Sequence, residues 1–248
     1  MKSFFLRLCA VMALLLLNAC LSGREEFWFE RDGSGRLQAE YRLPSFALAS
    51  LGGEQGLRKT ITDYFAKENG VVMESLGIEK KGAEVELSLK ARFDSVLELA
   101  KLLEKPEPGA EGPTLPEPMV KLLGEIQVER AGLGVDFKRT IDPKQVFAGG
   151  LVTPTQKQMA GYQLEYIMHL PTAVTHTNAH ATSDGGHTVQ WRYELAEAMK
   201  QPVRMDFVAP IPIPWWSWLV LVALLAAVAL GFRKWRGRAR GKNPAVSA

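Results

Sequence analysis

The segment that decides the fold is Glu84-Val85-Glu86-Leu87-Ser88-Leu89-Lys90-Ala91-Arg92-Phe93, in which polar and apolar side chains alternate without interruption. Successive side chains of a β-strand point to opposite faces, so this segment predicts a strand with one apolar and one polar face. Four further apolar sets have the same spacing: Leu133, Val135 and Phe137; Tyr162, Leu164, Tyr166, Met168 and Leu170; Val189, Trp191, Tyr193 and Leu195; and Val203, Met205 and Phe207. Such strands are typical of an antiparallel sheet with one side in solvent or covered by helices.

Three glycine-containing segments predict turns next to these strands. Asp-Gly at the centre of a short connection favours a two-residue turn, because glycine adopts positive φ angles without steric cost. The segments are Asp32-Gly33-Ser34-Gly35, between Phe27–Arg31 and Leu37–Leu43; Ser183-Asp184-Gly185-Gly186, between Val174–Thr182 and His187–Leu195; and Lys80-Lys81-Gly82, before Glu84. The first two segments therefore predict β-hairpins.

Two segments, Glu54–Glu68 and Asp94–Glu104, carry apolar residues at helical spacing and predict helices. The expected fold class is α+β, an antiparallel sheet with two helices on one face. Leu87, Tyr166 and Trp191 are expected in its core; a surface position for Trp191 would instead suggest a ligand platform.

The Pro-rich segment 105–118 interrupts the predicted domain. Proline and glycine at this density disfavour a regular helix, so we expect an exposed loop or linker, the alternative being a Pro-rich ligand for a partner protein.

The N-terminus has the layout of a secretory signal. Lys2 and Arg7 precede an apolar stretch that is shorter than the roughly 20 residues of a membrane-spanning helix. Leu17-Asn18-Ala19-Cys20 resembles the lipobox of bacterial lipoproteins, which implies a signal peptide over 1–19 and lipid attachment, including palmitate, at Cys20. A plain signal peptide with a chance cysteine is the alternative.

A second apolar segment, 215–232, contains no charged residue and is followed by a basic tail, 233–248. Its 18 residues predict a single C-terminal transmembrane helix, the alternative being a buried core helix. The positive-inside rule then places the tail in the cytoplasm and the domain over residues 20–210 outside the plasma membrane.

The charge distribution argues against nucleic-acid binding by the body of the protein. Between the two terminal segments lie 22 of the 30 basic residues and all 27 acidic residues, which leaves a net charge of −5. An acidic body is a poor ligand for a polyphosphate backbone, so we expect no nucleic-acid partner. The expected partners are membrane lipids, through the Cys20 anchor and Trp215–Phe232, and an envelope protein.

No sequence motif in the chain specifies a reaction. There is no G-x-S-x-G, H-E-x-x-H, P-loop or G-x-G-x-x-G motif, so we predict neither an enzyme nor a cofactor. All four histidines, His169, His176, His180 and His187, fall in one region. On strands, His180 and His187 could meet across the Asp184-Gly185 turn, and with Asp184 they would form an incomplete zinc site. Exposed strand histidines without metal are the alternative.

Several stretches together resemble the LppM-like lipoproteins, a family of bacterial envelope proteins. They are Cys20, Asp32-Gly33-Ser34-Gly35, Phe93-Asp94-Ser95, His169–Ala179, Asp184–Trp191 and the terminal apolar segment with its basic tail. The resemblance implies a membrane-proximal α+β domain that contacts envelope lipids, and it brings no catalytic residues.

The expected function is therefore that of a non-catalytic, membrane-anchored envelope lipoprotein that binds a lipid, glycolipid or protein partner. The alternative is a metal-dependent or hydrolytic envelope enzyme that uses the region of His176, His180 and His187.

Overall fold

The computed structural model describes residues 22–45, 48, 52–66, 70–103, 120–121, 123–148, 159, 161–212, 217, 219 and 222–228. The chain divides into two compact units, Met1–Ile211 and Pro212–Ala248. The strands are β1 (Ser22–Phe29), β2 (Gly35–Pro44), β3 (Val71–Lys81), β4 (Glu84–Phe93), β5 (Glu125–Ala131), β6 (Gly134–Ile141), β7 (Gln163–His169), β8 (His176–Thr177), β9 (Ala181–Ser183), β10 (Thr188–Glu194) and β11 (Val203–Pro210). The helices are α1 (Gly53–Phe65), α2 (Val96–Leu103), α3 (Pro143–Ala148) and α4 (Leu195–Ala198).

The large sheet has seven strands in the order β3-β4-β2-β1-β7-β10-β9. The predicted Asp32-Gly33 turn joins β1 to β2, and the Lys80-Lys81-Gly82 turn joins β3 to β4. Gly33 and Gly82 both have positive φ angles, as the turn chemistry predicts. The pair β1–β7 is parallel, so the sheet is mixed instead of purely antiparallel.

The predicted fold class, an antiparallel sheet with two helices on one face, is wrong. A second sheet, in the order β5-β6-β11-β8, shares one hydrophobic core with the large sheet. Alternating side chains identify the face of a strand that is buried, but not the strand with which it pairs. The apolar sets of β6 and β11 therefore belong to a second layer.

The two predicted helices exist with shorter bounds. Helix α1 covers Gly53–Phe65 of the predicted Glu54–Glu68, and α2 covers Val96–Leu103 of the predicted Asp94–Glu104. Both helices contribute side chains to the same core, among them Leu57, Ile61, Phe65 and Leu99. The helices therefore supplement the small sheet in covering the apolar face of the large sheet.

The core is built mainly from the inward faces of the two sheets. Leu87, Tyr166 and Trp191 are buried, which confirms their predicted place. Trp191 is 0% exposed, and its indole N–H donates to the side-chain oxygen of Asn178 at 2.7 Å. The interpretation of Trp191 as a surface platform is therefore excluded.

A buried ion pair connects the two sheets. Glu25 on β1 is 3% exposed and Arg139 on β6 is 1% exposed. Both terminal nitrogens of Arg139 donate to the Glu25 carboxylate, Nη2 at 3.1 Å, and the Tyr41 hydroxyl donates to the same carboxylate. Burial and the Glu25 charge raise the pKa of Tyr41 well above its usual value, so Tyr41 stays a neutral donor.

The described C-terminal residues do not support the predicted membrane-spanning segment. In the described part of the chain, no helix is long and apolar enough to cross a membrane. This finding contradicts the transmembrane helix predicted over 215–232 and the localisation derived from it, with the body outside the plasma membrane and the tail in the cytoplasm.

The predicted signal peptide (1–19), the lipidation site Cys20, the Pro-rich insertion (105–118) and the basic tail (233–248) lie outside the described residues. They stay predictions.

Candidate functional site on the polar face of the large sheet

The structure separates the histidines that the sequence suggested as a metal site. His176 lies on β8 of the small sheet and is exposed, whereas His180 and His187 flank strands of the large sheet. His180 Nδ1 accepts a hydrogen bond from the backbone N–H of Arg192 at 2.9 Å. Because His187 precedes Arg192 by five strand positions, His180 and His187 stand roughly 16 Å apart along β10.

The hydrogen bonds of His187 and Asp184 are made within the protein, to a neighbouring backbone oxygen and to a threonine hydroxyl. His187 Nδ1 lies 3.0 Å from the backbone oxygen of Leu170, and Asp184 accepts a hydrogen bond from the Thr188 hydroxyl at 2.8 Å. Asp184 has a φ of 52° in the turn between β9 and β10. Within the described residues, no group of three or more His, Cys, Asp or Glu could hold a metal ion.

The polar face of the large sheet carries rows of side chains that run across the strands. Directly paired residues on neighbouring strands stand side by side on one face. The first row contains, from β4 to β10, Arg92, Arg36, Trp28, His169 and Thr188; the second Lys90, Gln38, Glu26, Ile167 and Gln190; the third Ser88, Glu40, Arg24, Glu165 and Arg192. His169, the fourth histidine of the region, therefore belongs to this face.

One half of this face is a network of ion pairs. Arg24 lies 2.9 Å from Glu26 and 3.2 Å from Glu165, and Arg192 lies 2.7 Å from Glu165. Exposed pairs of this kind contribute roughly 0–1 kcal/mol each to stability. Their main effect is that positive and negative charges balance across β1, β7 and β10.

Two carboxylates of the network are held ionised. Partial burial opposes ionisation of Glu26, but hydrogen bonds from His169 and Arg24 outweigh it and lower the pKa of Glu26 below its usual value. Partial burial likewise opposes ionisation of Glu165, and the hydrogen bond from Arg192 contributes most to lowering the pKa of Glu165. Both groups are therefore anionic at neutral pH.

The other half of the face, within the described residues, holds more cations than closely paired carboxylates. Arg36 and Arg92 are direct cross-strand partners, and Lys90 is the next polar-face residue of β4. In the described part of the chain Arg36 and Lys90 make no ion pair, and Arg92 reaches Glu74 only at 3.9 Å. We call Arg36, Lys90 and Arg92 the cationic patch. Like charges directly opposite each other destabilise a sheet, so this arrangement favours an anion.

An aromatic pair borders the cationic patch. The rings of Trp28 and His169 are stacked, with centroids 5.3 Å apart and planes 10° from parallel. On the other side of Trp28, the Arg36 guanidinium lies 5.5 Å from the ring centroid. At the opposite end of the row, Val72 pairs with Arg92 and is 49% exposed. The patch is therefore flanked by apolar surface on both sides.

Sequence reasoning missed the patch, although Lys90 and Arg92 lie in the segment that decides the fold. Their polar-face positions were evident from the alternation. Their meeting with Arg36 depends on the pairing of β2 with β4, which no local signal specifies.

No protein-family model matches this chain, and no curated protein matches it. The chain is similar to the NMR structure of the folded domain of the Mycobacterium tuberculosis LppM protein, with 14% sequence identity and a TM-score of 0.46. The match covers 78% of this chain and 91% of that chain. This likeness concerns the fold alone, and it bears on neither the lipobox nor the terminal segment.

Proposed function

We propose that this protein is a non-catalytic lipoprotein, lipidated at Cys20, whose folded unit binds the anionic headgroup of a lipid or glycolipid at the cationic patch. The observation that carries the proposal is the excess positive charge of the patch: within the described residues Arg36 and Lys90 make no ion pair and Arg92 has only a long one with Glu74, whereas the neighbouring cations are closely paired. The body as a whole is acidic, so this local excess of positive charge is not a consequence of composition.

The chemistry of the patch suits a phosphodiester. Arginine presents a planar set of donors that matches the oxygens of phosphate, and two arginines stand side by side here. Trp28 and Val72 place apolar surface at the margins, which suits a ligand with a carbon skeleton attached to its anionic group. The carboxylates of an acidic protein partner are the competing occupant.

The alternative, a metal-dependent or hydrolytic enzyme, draws no support from the histidine geometry. Its best residues, His176, His180 and His187, are distributed over two sheets and the two ends of a hairpin.

Removing two charges from the patch is expected to weaken binding roughly 30-fold, since each basic residue near an anionic lipid contributes about 1 kcal/mol. The test titrates the full-length protein, in a zwitterionic detergent, with glycerophosphoglycerol, dihexanoylphosphatidylglycerol and sulfate. We expect Arg36→Gln/Arg92→Gln to lose affinity for the first two probes. Arg42→Gln is the matched control, because Arg42 lies on the same face but is paired with Glu86 at 3.3 Å.

The three probes separate the possible occupants. Binding of the two phosphodiesters but not of sulfate supports a headgroup ligand, and tighter binding of the short-chain lipid assigns the acyl chains a part in the contact. Equal affinity for sulfate would contradict the proposed ligand class. Failure of all three, together with crosslinking to an acidic protein in intact cells, would replace the lipid with a protein partner.

Lipid attachment is tested separately from the patch. Metabolic labelling with palmitate is expected to disappear in Cys20→Ser, because the thiol that would carry the diacylglyceryl group is lost. Cys9→Ser is the control and should keep full labelling, since Cys9 lies inside the predicted signal peptide. Persistent labelling of Cys20→Ser would show that the lipobox prediction is wrong.

A further inference from the structure

We infer that one end of the folded unit docks on the surface of a bilayer that contains anionic phospholipid, with apolar side chains inserted among the lipids around the cationic patch. The inference rests on the cationic patch of the proposed function, which supplies the contact with the headgroups. It adds four exposed apolar residues from separate segments of the chain: Val72, Leu97, Leu133 and Ile211. We call these four residues, together with the patch, the docking end.

The four residues are the large apolar side chains that are exposed among the described residues up to Ile211. Their exposed fractions range from 40% for Ile211 to 74% for Leu133. Apolar residues that are exposed singly are common and need no partner, whereas a group of them indicates an interaction surface. The hydrogen bonds and strand pairings of the segments that carry them bring the four residues to one end of the unit.

Val72 and Leu97 lie at the end of the large sheet that carries the patch. Val72 is the cross-strand partner of Arg92. Leu97 lies in the first turn of α2, and the backbone N–H of the preceding residue, Val96, donates to the backbone oxygen of Gly33 at 2.9 Å. Gly33 belongs to the turn that leads into β2, the strand that carries the other arginine of the patch.

Leu133 and Ile211 reach the same end through the small sheet. His169 belongs to the first row of the polar face, and Thr172 follows it by three residues, a span of at most roughly 11 Å. The Thr172 hydroxyl donates to the backbone oxygen of Pro210 at 2.6 Å, and the backbone N–H of Ile211 donates to the backbone oxygen of Leu133 at 2.8 Å. These bonds place both apolar residues beside the patch end of the large sheet.

The composition of the docking end suits an anionic bilayer. Basic side chains are attracted to its negative surface, and apolar side chains enter the boundary between headgroups and acyl chains. The turns at this end also hold acidic residues, Glu30, Asp32 and Asp94, and the Asp32 carboxylate accepts from the N–H and the hydroxyl of Ser34 at 3.0 and 2.7 Å. Because these carboxylates weaken the attraction, docking needs the apolar contacts as well. A bilayer matches both parts of the surface, whereas the carboxylates of an acidic protein match the patch alone.

The predicted lipid on Cys20 would be attached at the other end of the unit. β1 begins at Ser22, six strand positions before Trp28 and therefore roughly 20 Å from it. A lipid on Cys20 thus leaves the docking end free for a second membrane surface. Gln163, at the start of β7, is exposed at the same end as Ser22 and serves as a reference position.

The test places a polarity-sensitive NBD fluorophore on single cysteines of the full-length protein. The background is Cys9→Ser/Cys20→Ser, which removes both native cysteines. Leu97→Cys and Leu133→Cys report on the docking end and Gln163→Cys on the opposite end, and all three positions are exposed. The labelled protein is diluted from a zwitterionic detergent into vesicles of phosphatidylcholine, with or without an equal amount of phosphatidylglycerol, that carry a nitroxide lipid as quencher.

We expect the labels at Leu97 and Leu133 to shift to the blue and to lose most of their emission only in vesicles that contain phosphatidylglycerol. The label at Gln163 should stay unquenched in both kinds of vesicle. Equal quenching without phosphatidylglycerol would show that the patch has no part in the contact. Blue-shifted labels that the nitroxide lipid does not quench would show that protein covers these side chains. Either result overturns the inference.

Removal of two charges from the patch should largely abolish the quenching. Arg36→Gln/Arg92→Gln is expected to lower the ratio of docked to undocked protein roughly 30-fold, since each basic residue near an anionic membrane contributes about a factor of five. Arg42→Gln, which removes a cation that is paired with Glu86, should leave the quenching unchanged. Docking that is equally strong in both variants would contradict the inference.

The soluble probes of the proposed function distinguish its failure from that of the docking end. Binding of glycerophosphoglycerol without quenching at Leu97 and Leu133 overturns docking and leaves the proposed function in place. Absence of probe binding, with quenching that still depends on Arg36 and Arg92, overturns the proposed headgroup site and supports docking through many weak contacts with the bilayer.

Discussion

Replacement of Arg139 by methionine is expected to lower the free energy of unfolding by about 3–5 kcal/mol. The methionine fills most of the volume of the arginine stem, but it leaves the carboxylate of Glu25 buried at 3% exposure with no opposite charge. The Tyr41 hydroxyl alone then stabilises that carboxylate. The backbone oxygen of Leu123, which accepts from Arg139 Nε at 2.9 Å, also loses its donor. Urea unfolding followed by far-UV circular dichroism measures the change.

The second variant, Arg139→Met/Glu25→Gln, tests the cause of that loss. An uncharged glutamine keeps an acceptor for the Tyr41 hydroxyl, so roughly 2 kcal/mol should be recovered, as expected when a buried charge is removed together with its partner. Arg192→Met is the surface control. Its ion pair with Glu165 is exposed, and its loss should cost about 0–1 kcal/mol. An equal effect of Arg139→Met and Arg192→Met would show that burial of the pair contributes little.

The sequence contained a signal for this ion pair that the alternation analysis did not use. Glu25 shares the core-facing side of β1 with Phe27, and Arg139 shares that of β6 with Ile141. A charged residue at an apolar position of an alternating strand must be paired, because an isolated buried charge is strongly destabilising. One acidic and one basic position of this kind indicate a buried pair between strands. The pattern cannot say that the strands belong to different sheets.

The strands and turns were predictable because they depend on local chemistry. Alternation within β4 and the Asp-Gly turn after β1 act over a few residues. The parallel pairing of β1 with β7 joins segments more than 100 residues apart, and the second sheet pairs β6 with β11, which are separated in the chain by β7 to β10. Such strand pairings depend on how whole sheets pack against each other, so no local sequence pattern predicts them. The cationic patch depends on the pairing of β2 with β4, which are not neighbours in the sequence, and it was missed for the same reason.

Replacement of Trp191 by alanine is expected to cost about 3–5 kcal/mol, because the largest fully buried side chain of the core is removed. Trp191 lies on β10 opposite Tyr166 of β7, so the cavity would open at the centre of the large sheet. The full-length protein should show a lower urea midpoint. A loss under about 1 kcal/mol would mean that the surrounding side chains collapse into the space, contrary to a rigid core.

The hydrogen bond between Trp191 and Asn178 contributes to the stability independently of the volume that the Trp191 side chain fills. The side-chain oxygen of Asn178 accepts from the Trp191 indole and from the backbone N–H of Asp206 on β11, at 2.7 and 2.9 Å. Asn178 thereby ties the large sheet to the small one. A double-mutant cycle of Trp191→Phe with Asn178→Ala should give a coupling of about 0.5–3 kcal/mol.

The control cycle uses a different hydrogen bond from β10 to β11. Tyr193→Phe removes the bond of the Tyr193 hydroxyl to the backbone oxygen of Arg204, and it should not couple to Trp191→Phe. Coupling of the same size in both cycles would mean that the two sheets move as a unit and that Asn178 has no special role.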